Sequence, residues 1–193
     1  MTVNRTRNTA TAQRRQKQIE DCLIENLQHN PWQSISVADI CRQVGISRKA
    51  YYNYYKDKND CFCAYVDRLL RECVLTCTQI LPDNATPLDA AIVLLDFWKE
   101  QKGFLDIVVR NDLMFFLMLR NVDFVLTEDR SLLRLLNTRE LPSDTDILTA
   151  YTSVQLSLVL CWYGRGFADP TEEIAKKLLR LLHEPLLTPA DEP

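Results

Sequence analysis

The stretch ISVADICRQVGISRKAYYNYYKDKND, residues 35–60, decides the fold because it predicts two short helices joined by a tight turn. Ser36 precedes an apolar helical pattern, and Asp39 follows it three residues later, as in a capping box. Gly45 ends this first helix at a position suited to a positive φ angle. A second helix is predicted over 48–55, and two helices joined in this way are a helix-turn-helix candidate.

The second helix of this candidate separates its tyrosines into two groups. Ser47 can cap the helix. Tyr51 and Tyr55, at positions i and i+4, can close over the apolar side chains of the first helix and the turn. The opposite face then carries cations, a phenol and an amide, which are residue types that suit nucleic acid. This face comprises Arg48, Lys49, Tyr52 and Asn53, with Lys56 and Lys58 just past the helix end.

Each residue type on this face has a role in DNA recognition. Arg48 or Lys49 can donate to guanine O6 and N7, and Asn53 can pair with adenine. Hydroxyl and ammonium groups can donate to phosphate, which fixes the register without reading sequence, and a helix N-terminus also favours phosphate. The alternative is a solvated basic face on an ordinary pair of helices. We predict DNA contacts at Ser36, Ser47, Arg48, Lys49, Tyr52, Asn53, Lys56 and Lys58.

Charge is divided unevenly along the 193 residues. Residues 1–70 contain 11 Lys and Arg against 7 Asp and Glu, whereas residues 71–193 contain 12 against 19. The first part is therefore basic within a chain of net charge −3. A basic first third joined to an acidic remainder indicates that one part meets a polyanion and the rest does not.

Apolar residues recur with a helical period over most of the chain, and only 4 glycines are present, so an all-α fold is predicted. Residues 1–13 are polar and are predicted to form a disordered arm. A three-helix helix-turn-helix domain is predicted over 14–60 and a larger C-terminal helical domain over 61–193. Outside the quoted stretch, helices are predicted from Arg14 to Asn30 and over Lys58–Ile80, Leu88–Lys102, Leu105–Arg120, Arg130–Asn137, Asp144–Phe167 and Thr171–His183.

The quoted stretch resembles the DNA-binding region of the TetR family of bacterial transcriptional regulators. The family pattern reads roughly Ile-Ala-x-x-Ala-Gly-Val-Ser, then a short helix and Tyr-x-x-Phe-x-x-Lys. Here the corresponding residues are Ile40–Ser47 and Tyr52–Lys58, with Cys41 and Val44 in place of alanines and Tyr55 in place of phenylalanine. The resemblance covers about the first third of the chain. It implies a sequence-specific, cytoplasmic regulator of transcription that binds a palindromic DNA operator.

A second, weaker resemblance lies in CWYGRGFADPTEEIAKKLLRLL, residues 161–182. This stretch is similar to the end of many TetR-family C-terminal domains, where a Trp-containing helix, a Gly-aromatic turn and an amphipathic last helix build a four-helix bundle between two subunits. The run 154–163 is also apolar nearly all round, which is more than one core-facing stripe needs. A homodimer is therefore predicted, with interface residues Leu156, Val159, Trp162 and Leu178.

The region 97–118 concentrates aromatic residues and methionine, which can enclose a small apolar ligand but equally suit plain core packing. Candidate ligand contacts are Trp98, Phe104, Phe115, Met118 and Gln155. Together with the resemblance, this composition predicts a repressor that is released from DNA by a small apolar or amphipathic effector. The alternative is a DNA-binding protein whose C-terminal domain makes protein contacts without a small-molecule effector.

Other classes of function have no support in the sequence. No Ser/His/Asp arrangement, glycine-rich phosphate loop or histidine-based metal motif occurs, so no enzyme activity, cofactor or metal is predicted. The 7 cysteines fall mostly on apolar helical stripes, which favours small buried side chains over metal binding or thiol sensing. The longest apolar run is too short to span a bilayer, and no signal peptide is evident. We therefore predict a cytoplasmic protein without a membrane partner.

Overall fold

All regular elements of the described residues are helical, which confirms the predicted all-α fold. The structure, a computed structural model, describes residues 10–82, 84–127 and 145–183, with the side chains of residues 147, 148 and 183 excepted. The helix predicted over 130–137 lies outside these ranges. The α-helices within them are α1 Ala10–His29, α2 Val37–Val44, α3 Arg48–Tyr52, α4 Lys58–Ile80, α5 Pro87–Glu100, α6 Lys102–Arg110, α7 Met114–Thr127, α8 Thr145–Gly164 and α9 Thr171–His183.

The first helix begins at Ala10, whereas the sequence predicts a start at Arg14 and an arm over 1–13. Alanine has the highest helix propensity, and Ala12 is buried, so the segment 10–13 continues the helix. Residues 1–9 of the predicted arm lie outside the described residues. A short 3-10 helix, Trp32–Ser34, follows α1 and leads into α2.

The helix-turn-helix is bounded by the caps that its sequence predicts. In the capping box of α2, the Ser36 hydroxyl accepts from the Asp39 amide at 3.2 Å, and the Asp39 carboxylate accepts from the Ser36 amide at 3.2 Å. Gly45 ends α2 in the left-handed conformation, with a φ of 70°. The Ser47 hydroxyl accepts from the Ala50 amide at 3.1 Å and so caps α3.

The second helix of the motif is shorter than the predicted 48–55. It ends at Tyr52, and the amides of Tyr54 and Tyr55 then both donate to the Tyr51 carbonyl in a turn. The Asp57 carboxylate accepts from the Asp60 amide at 2.8 Å, which caps the start of α4. Because a capping residue lies outside the helical conformation, the chain must leave the helical path between α3 and this cap.

The segment predicted as one helix over Leu105–Arg120 is two helices, α6 and α7. The turn between them contains Asp112, which has a φ of 56°. Asp tolerates this left-handed conformation better than most other non-glycine residues. The Leu113 amide donates to the Val108 carbonyl at 2.9 Å, a bond that ends α6. Apolar periodicity continues across the turn, and for that reason the sequence pattern predicts a single helix.

The described residues form two compact units. The first contains those up to Leu69 together with Phe104–Leu117, and the second contains Leu70–Gly103 with those from Met118 on. In the first unit α1 packs on α2 and α2 on α3, and in the second α9 packs on α5 and α8. Because α4 runs unbroken past residue 60, the predicted domain boundary there stays a prediction. Within the described part of the chain, no helix is both long and apolar enough to cross a membrane.

Candidate nucleic-acid interface

The short helix α3 presents the predicted DNA-reading face to solvent. Arg48, Lys49, Tyr52 and Asn53 are all exposed, and the Tyr52 side chain is 48% exposed. The Tyr52 side chain lies one turn after Arg48 and raises the pKa of its guanidinium, so two members of the face lie close together. The exposed Ser47 hydroxyl at the start of α3 can still donate its proton to a phosphate. The structure therefore brings these predicted residues together on one surface.

The predicted phosphate contact Ser36 is exposed, but its hydroxyl is occupied by the capping box. It donates to the Asp39 carboxylate at 2.5 Å, and the same carboxylate pairs with Arg42 at 2.5 Å. Hydrogen bonds from Ser36 and pairing with Arg42 lower the pKa of Asp39 below its ordinary value. The negative charge of Asp39 disfavours a phosphate at Ser36. Arg42, which the sequence analysis did not select, is an exposed cation on α2 at this position.

Tyr51 and Tyr55 are buried beneath the exposed face, as the sequence predicts. The Tyr51 hydroxyl donates to the Asp57 carbonyl at 3.0 Å, and the Tyr55 hydroxyl donates to the Glu20 carboxylate at 2.8 Å. Burial raises the pKa of both phenols, and the charge of Glu20 raises that of Tyr55 further. Both hydroxyls therefore stay protonated and hold the residues around α3 as hydrogen-bond donors.

The Glu20 carboxylate that binds Tyr55 is itself buried and paired. Its second oxygen accepts from Arg68 Nε at 2.6 Å, and the Arg68 guanidinium also pairs with Asp21. The guanidinium carbon lies 4.8 Å from the centre of the Tyr65 ring. A buried carboxylate is stable only when it is paired and hydrogen-bonded. The sequence offers one signal for this buried ion pair: Glu20 is an acidic residue among the apolar positions of α1.

Lys56 and Lys58 are two residues apart, but the structure gives them different surroundings. The Lys56 side chain is exposed, and its backbone amide donates to the Asp60 carboxylate at 2.8 Å. The Lys58 ammonium donates instead to the carbonyl oxygens of Trp32 and Ile35, the latter at 2.7 Å. Loss of water on burial lowers the pKa of Lys58. Lys58 thus differs from the predicted phosphate ligand, and we leave it out of the proposed DNA contacts.

The predicted effector contacts are divided between the two units. Phe104 and Phe115 belong to the first unit, whereas Trp98, Met118 and Gln155 belong to the second. Phe115 is 70% exposed, and an outward-facing side chain does not enclose a ligand, so we leave it out of the proposed effector site. Phe104 is buried among aromatic side chains of the first unit. Trp98 and Gln155 are buried and Met118 is half-buried, which keeps these three as candidates.

The predicted dimer residues face the core of their own unit. The Trp162 indole, for example, donates to the Asp169 carbonyl at 3.1 Å within the subunit. Side chains that are buried in one subunit stabilise its fold and leave no surface for a partner. A different stripe of α8, formed by Val154, Leu158 and Cys161, is half-buried or exposed. The predicted interface residues that are buried in their own subunit, and that we leave out of the proposed interface, are Leu156, Val159, Trp162 and Leu178.

The cysteines behave as core side chains where they are buried. Cys73 and Cys77 lie one turn apart on α4, and both are fully buried. Hydrogen bonding to Cys77 and burial raise the pKa of Cys73 above its ordinary value, which keeps it a thiol. Among the residues that the structure describes, no group of three or more His, Cys, Asp or Glu side chains is placed to hold a metal ion.

The helical arrangement is similar to that of solved transcriptional regulators. A TetR transcriptional regulator from Rhodococcus sp. RHA1 has 18% identity and a TM-score of 0.58, with 93% of this chain and 100% of that chain covered. The fatty acid degradation regulator FadR from Bacillus halodurans has 16% identity and a TM-score of 0.56, with 89% and 96% covered.

A third similar structure contains a bound ligand. Thermus thermophilus FadR, a TetR-family transcriptional repressor in complex with lauroyl-CoA, has 19% identity and a TM-score of 0.53, with 92% of this chain and 98% of that chain covered. No family model and no curated protein sequence matches the chain. At these identities the similarity establishes the fold alone.

The two groups of tyrosines give a direct test of the site. Tyr55→Phe removes the hydroxyl that donates to the buried Glu20 carboxylate, so we expect the free energy of unfolding to fall by about 1–3 kcal/mol in urea titrations. Tyr52→Phe makes the same chemical change at an exposed position and is expected to leave the unfolding midpoint unchanged. Equal effects of the two substitutions would contradict the assignment of Tyr55 to the core network.

Proposed function

Because the chain has the fold of TetR-like transcriptional regulators, we propose that it is a sequence-specific DNA-binding regulator of transcription. The proposal rests on one observation. The Ser47 hydroxyl caps α3, and Tyr51 and Tyr55 are buried in the first unit. The exposed side chains of α3 are basic or phenolic. A helix presented in this way fits the major groove, which is wide enough to admit it. The basic first part of the chain supplies attraction to the phosphates.

The residues of the proposed interface divide into two roles. Arg48, Lys49 and Asn53 have the donor and acceptor groups that read base edges, with Arg48 or Lys49 on guanine and Asn53 on adenine. Tyr52 and Lys56 donate to phosphate and fix the position of α3 in the groove.

We further propose that two copies of the chain form a homodimer through the α8 stripe of Val154, Leu158 and Cys161. The stripe follows one helical face, and its members are only partly covered within their own subunit. An isologous interface would pair this stripe with its own copy and present two α3 helices. A palindromic operator with half-sites about 34–36 Å apart suits such a dimer.

The second unit is proposed to bind a small apolar or amphipathic effector that releases a repressor from DNA. The buried residues of this unit include Trp98 and the polar side chains of Asn121, Thr152 and Gln155. The Asn121 amide nitrogen lies 3.5 Å from the Thr152 carbonyl oxygen. Buried polar groups in an apolar surrounding are the usual means of orienting a ligand. The lauroyl-CoA bound by the Thermus protein is an amphipathic molecule of the proposed kind.

A second candidate function for this unit is contact with another protein. Leu75 and Ile80 on α4 are 54% and 61% exposed, and large exposed apolar side chains often mark protein interfaces. In that case the chain binds DNA and a protein partner, with no small effector. The two candidates differ in whether a small molecule changes the affinity for DNA.

Base reading by Arg48 can be tested with DNA sequences selected by the protein from a random library. We expect Arg48→Ala to lower affinity for the selected site about 10- to 100-fold and to relax the preference at one base pair of each half-site. Lys177→Ala, which removes an exposed cation on α9, is the control and is expected to keep the preference. A uniform loss of affinity for every sequence would show that Arg48 contacts phosphate.

The dimer stripe can be tested by placing a charge on it. We expect Leu158→Glu to shift the mass measured by sedimentation at micromolar concentration from dimer toward monomer, because a carboxylate in an apolar interface loses its water. Leu75→Glu puts the same charge at an exposed position of α4 and is expected to leave the mass unchanged. A wild-type monomer at this concentration would contradict the proposed dimer.

The effector can be tested with lauroyl-CoA as the probe. We expect it to raise the melting temperature and to weaken operator binding about 5- to 150-fold, because a ligand that prefers the DNA-free state must be coupled reciprocally to DNA. Free coenzyme A is the control for the polar part of the probe. If acyl-CoAs of different chain lengths neither stabilise the protein nor change its operator affinity, the protein-contact function gains support.

A further inference from the structure

The turn that joins α1 to α2 is held by an unusual cation. This Trp32 turn, residues 31–35, consists of Pro31, the 3-10 helix Trp32–Ser34 and Ile35. The Lys58 ammonium donates to the carbonyl oxygens of Trp32 and Ile35, the latter at 2.7 Å, and lies 4.2 Å from the centre of the Trp32 ring. All three contacts lie within the first unit.

These contacts engage the ammonium group within the protein. A lysine ammonium has three N–H donors and no acceptor. Two of the three are occupied by carbonyl oxygens, and the face of the Trp32 ring attracts the remaining positive edge. A phosphate that approached Lys58 would therefore have to displace bonds within the protein. Lys56 is exposed and faces no such competition.

Lys58 is the first residue of α4, and its contacts with the Trp32 turn offset an unfavourable position for a cation. A cation in the first turn of a helix faces the positive end of the helix dipole, which is unfavourable. The Lys58 side chain is directed to the Trp32 turn, where the carbonyl oxygens of Trp32 and Ile35 supply partial negative charge. A lysine used for phosphate binding has no need of this arrangement.

The Trp32 turn is also held by Asn111, the residue that follows α6. The Trp32 amide donates to the Asn111 side-chain oxygen at 2.7 Å, and Asn111 is itself buried and donates to the Ile107 carbonyl at 2.9 Å. The Trp32 ring also meets Phe62 edge-on, with ring centres 5.9 Å apart. The turn therefore has little freedom to move, and Lys58 is its charged anchor.

The Trp32 turn ends directly at Ser36, the cap of α2, so its position determines where α2 begins. Since α2 leads to α3 through the tight turn at Gly45, the same anchor sets the placement of the DNA-reading face. We propose that Lys58 is a positioning residue of the DNA-binding unit, which fixes the Trp32 turn and gives no charge to the DNA backbone. The part of this proposal that concerns DNA rests on the proposed function.

The neighbouring Lys56 offers a matched control for the test. Lys58→Met and Lys56→Met remove the same charge from the full-length protein and keep a side chain of similar length. The affinity of each variant for a random-sequence duplex is measured by fluorescence anisotropy between about 50 and 200 mM salt, where phosphate contacts dominate. We expect Lys56→Met to lower the slope of log K against log salt by about 0.9 per bound subunit. Lys58→Met is expected to keep the wild-type slope, and a slope lowered as in Lys56→Met would overturn the proposal.

A positioning role also requires a loss of sequence preference. We expect Lys58→Met to lower the ratio of affinities for the selected operator and for random DNA about tenfold or more, at a temperature where the variant is fully folded by circular dichroism. Lys58→Arg keeps the charge and several donors, so it is expected to restore most of the ratio. A ratio in Lys58→Met equal to that of the wild-type protein would overturn the positioning role.

Hydrogen exchange separates failure of this proposal from failure of the proposed function. If the wild-type protein has no measurable affinity for DNA, the proposed function fails, but the anchor can still be measured. We expect faster amide exchange over residues 32–40 in Lys58→Met and wild-type exchange there in Lys56→Met. Unchanged exchange over this segment in Lys58→Met would overturn the anchor whatever the protein binds.

Discussion

The hydrogen bonds and ion pair of the buried Glu20 carboxylate are the interactions on which the arrangement of the first unit depends. This carboxylate accepts hydrogen bonds from Tyr55, which follows α3, and from Arg68 on α4, so three parts of the chain meet at one charged group. An unpaired carboxylate in this position would lose its water without compensation. Alternative packings of these helices would leave the charge without one of its partners. The requirement for both partners therefore selects one arrangement of α1, α3 and α4 more strictly than apolar packing does.

The cations of the first unit serve two different purposes that composition does not separate. Arg48, Lys49 and Lys56 face solvent, where their charge can act on a polyanion. Lys58 donates to backbone carbonyl oxygens, and Arg68 is paired with carboxylates, so both cations are engaged within the protein. The excess of basic residues in the first part of the chain thus overstates the charge that is offered to a ligand. A surface that is only moderately positive attracts unrelated polyanions less strongly than the composition alone would indicate.

Local signals in the sequence were sufficient for most of the fold. Ser36, Gly45 and Ser47 act on residues within one turn of themselves, so their spacing predicts the helix-turn-helix with its caps. The left-handed turn at Asp112 is not predicted by the sequence pattern, because the apolar period continues across the turn and marks no helix end. The roles of Glu20 and Lys58 depend on partners distant in sequence, and the apolar run 154–163 does not show in its pattern which of its residues face the core of their own subunit. Such outcomes are decided by tertiary packing, which a one-dimensional pattern does not contain.

Most of α6 belongs to the first unit, although α5, which precedes it in the chain, belongs to the second. The Trp32 amide and its acceptor on Asn111 are 79 residues apart in the chain. The caps of α2 and α3 close locally and early, as short-range contacts do. The hydrogen bond from the Trp32 amide to Asn111 forms only after all of α5 has left the ribosome. A nascent chain that ends before Asn111 therefore has a Trp32 turn without its hydrogen bond to Asn111, so the first unit completes its contacts only after a whole helix of the second unit has been made.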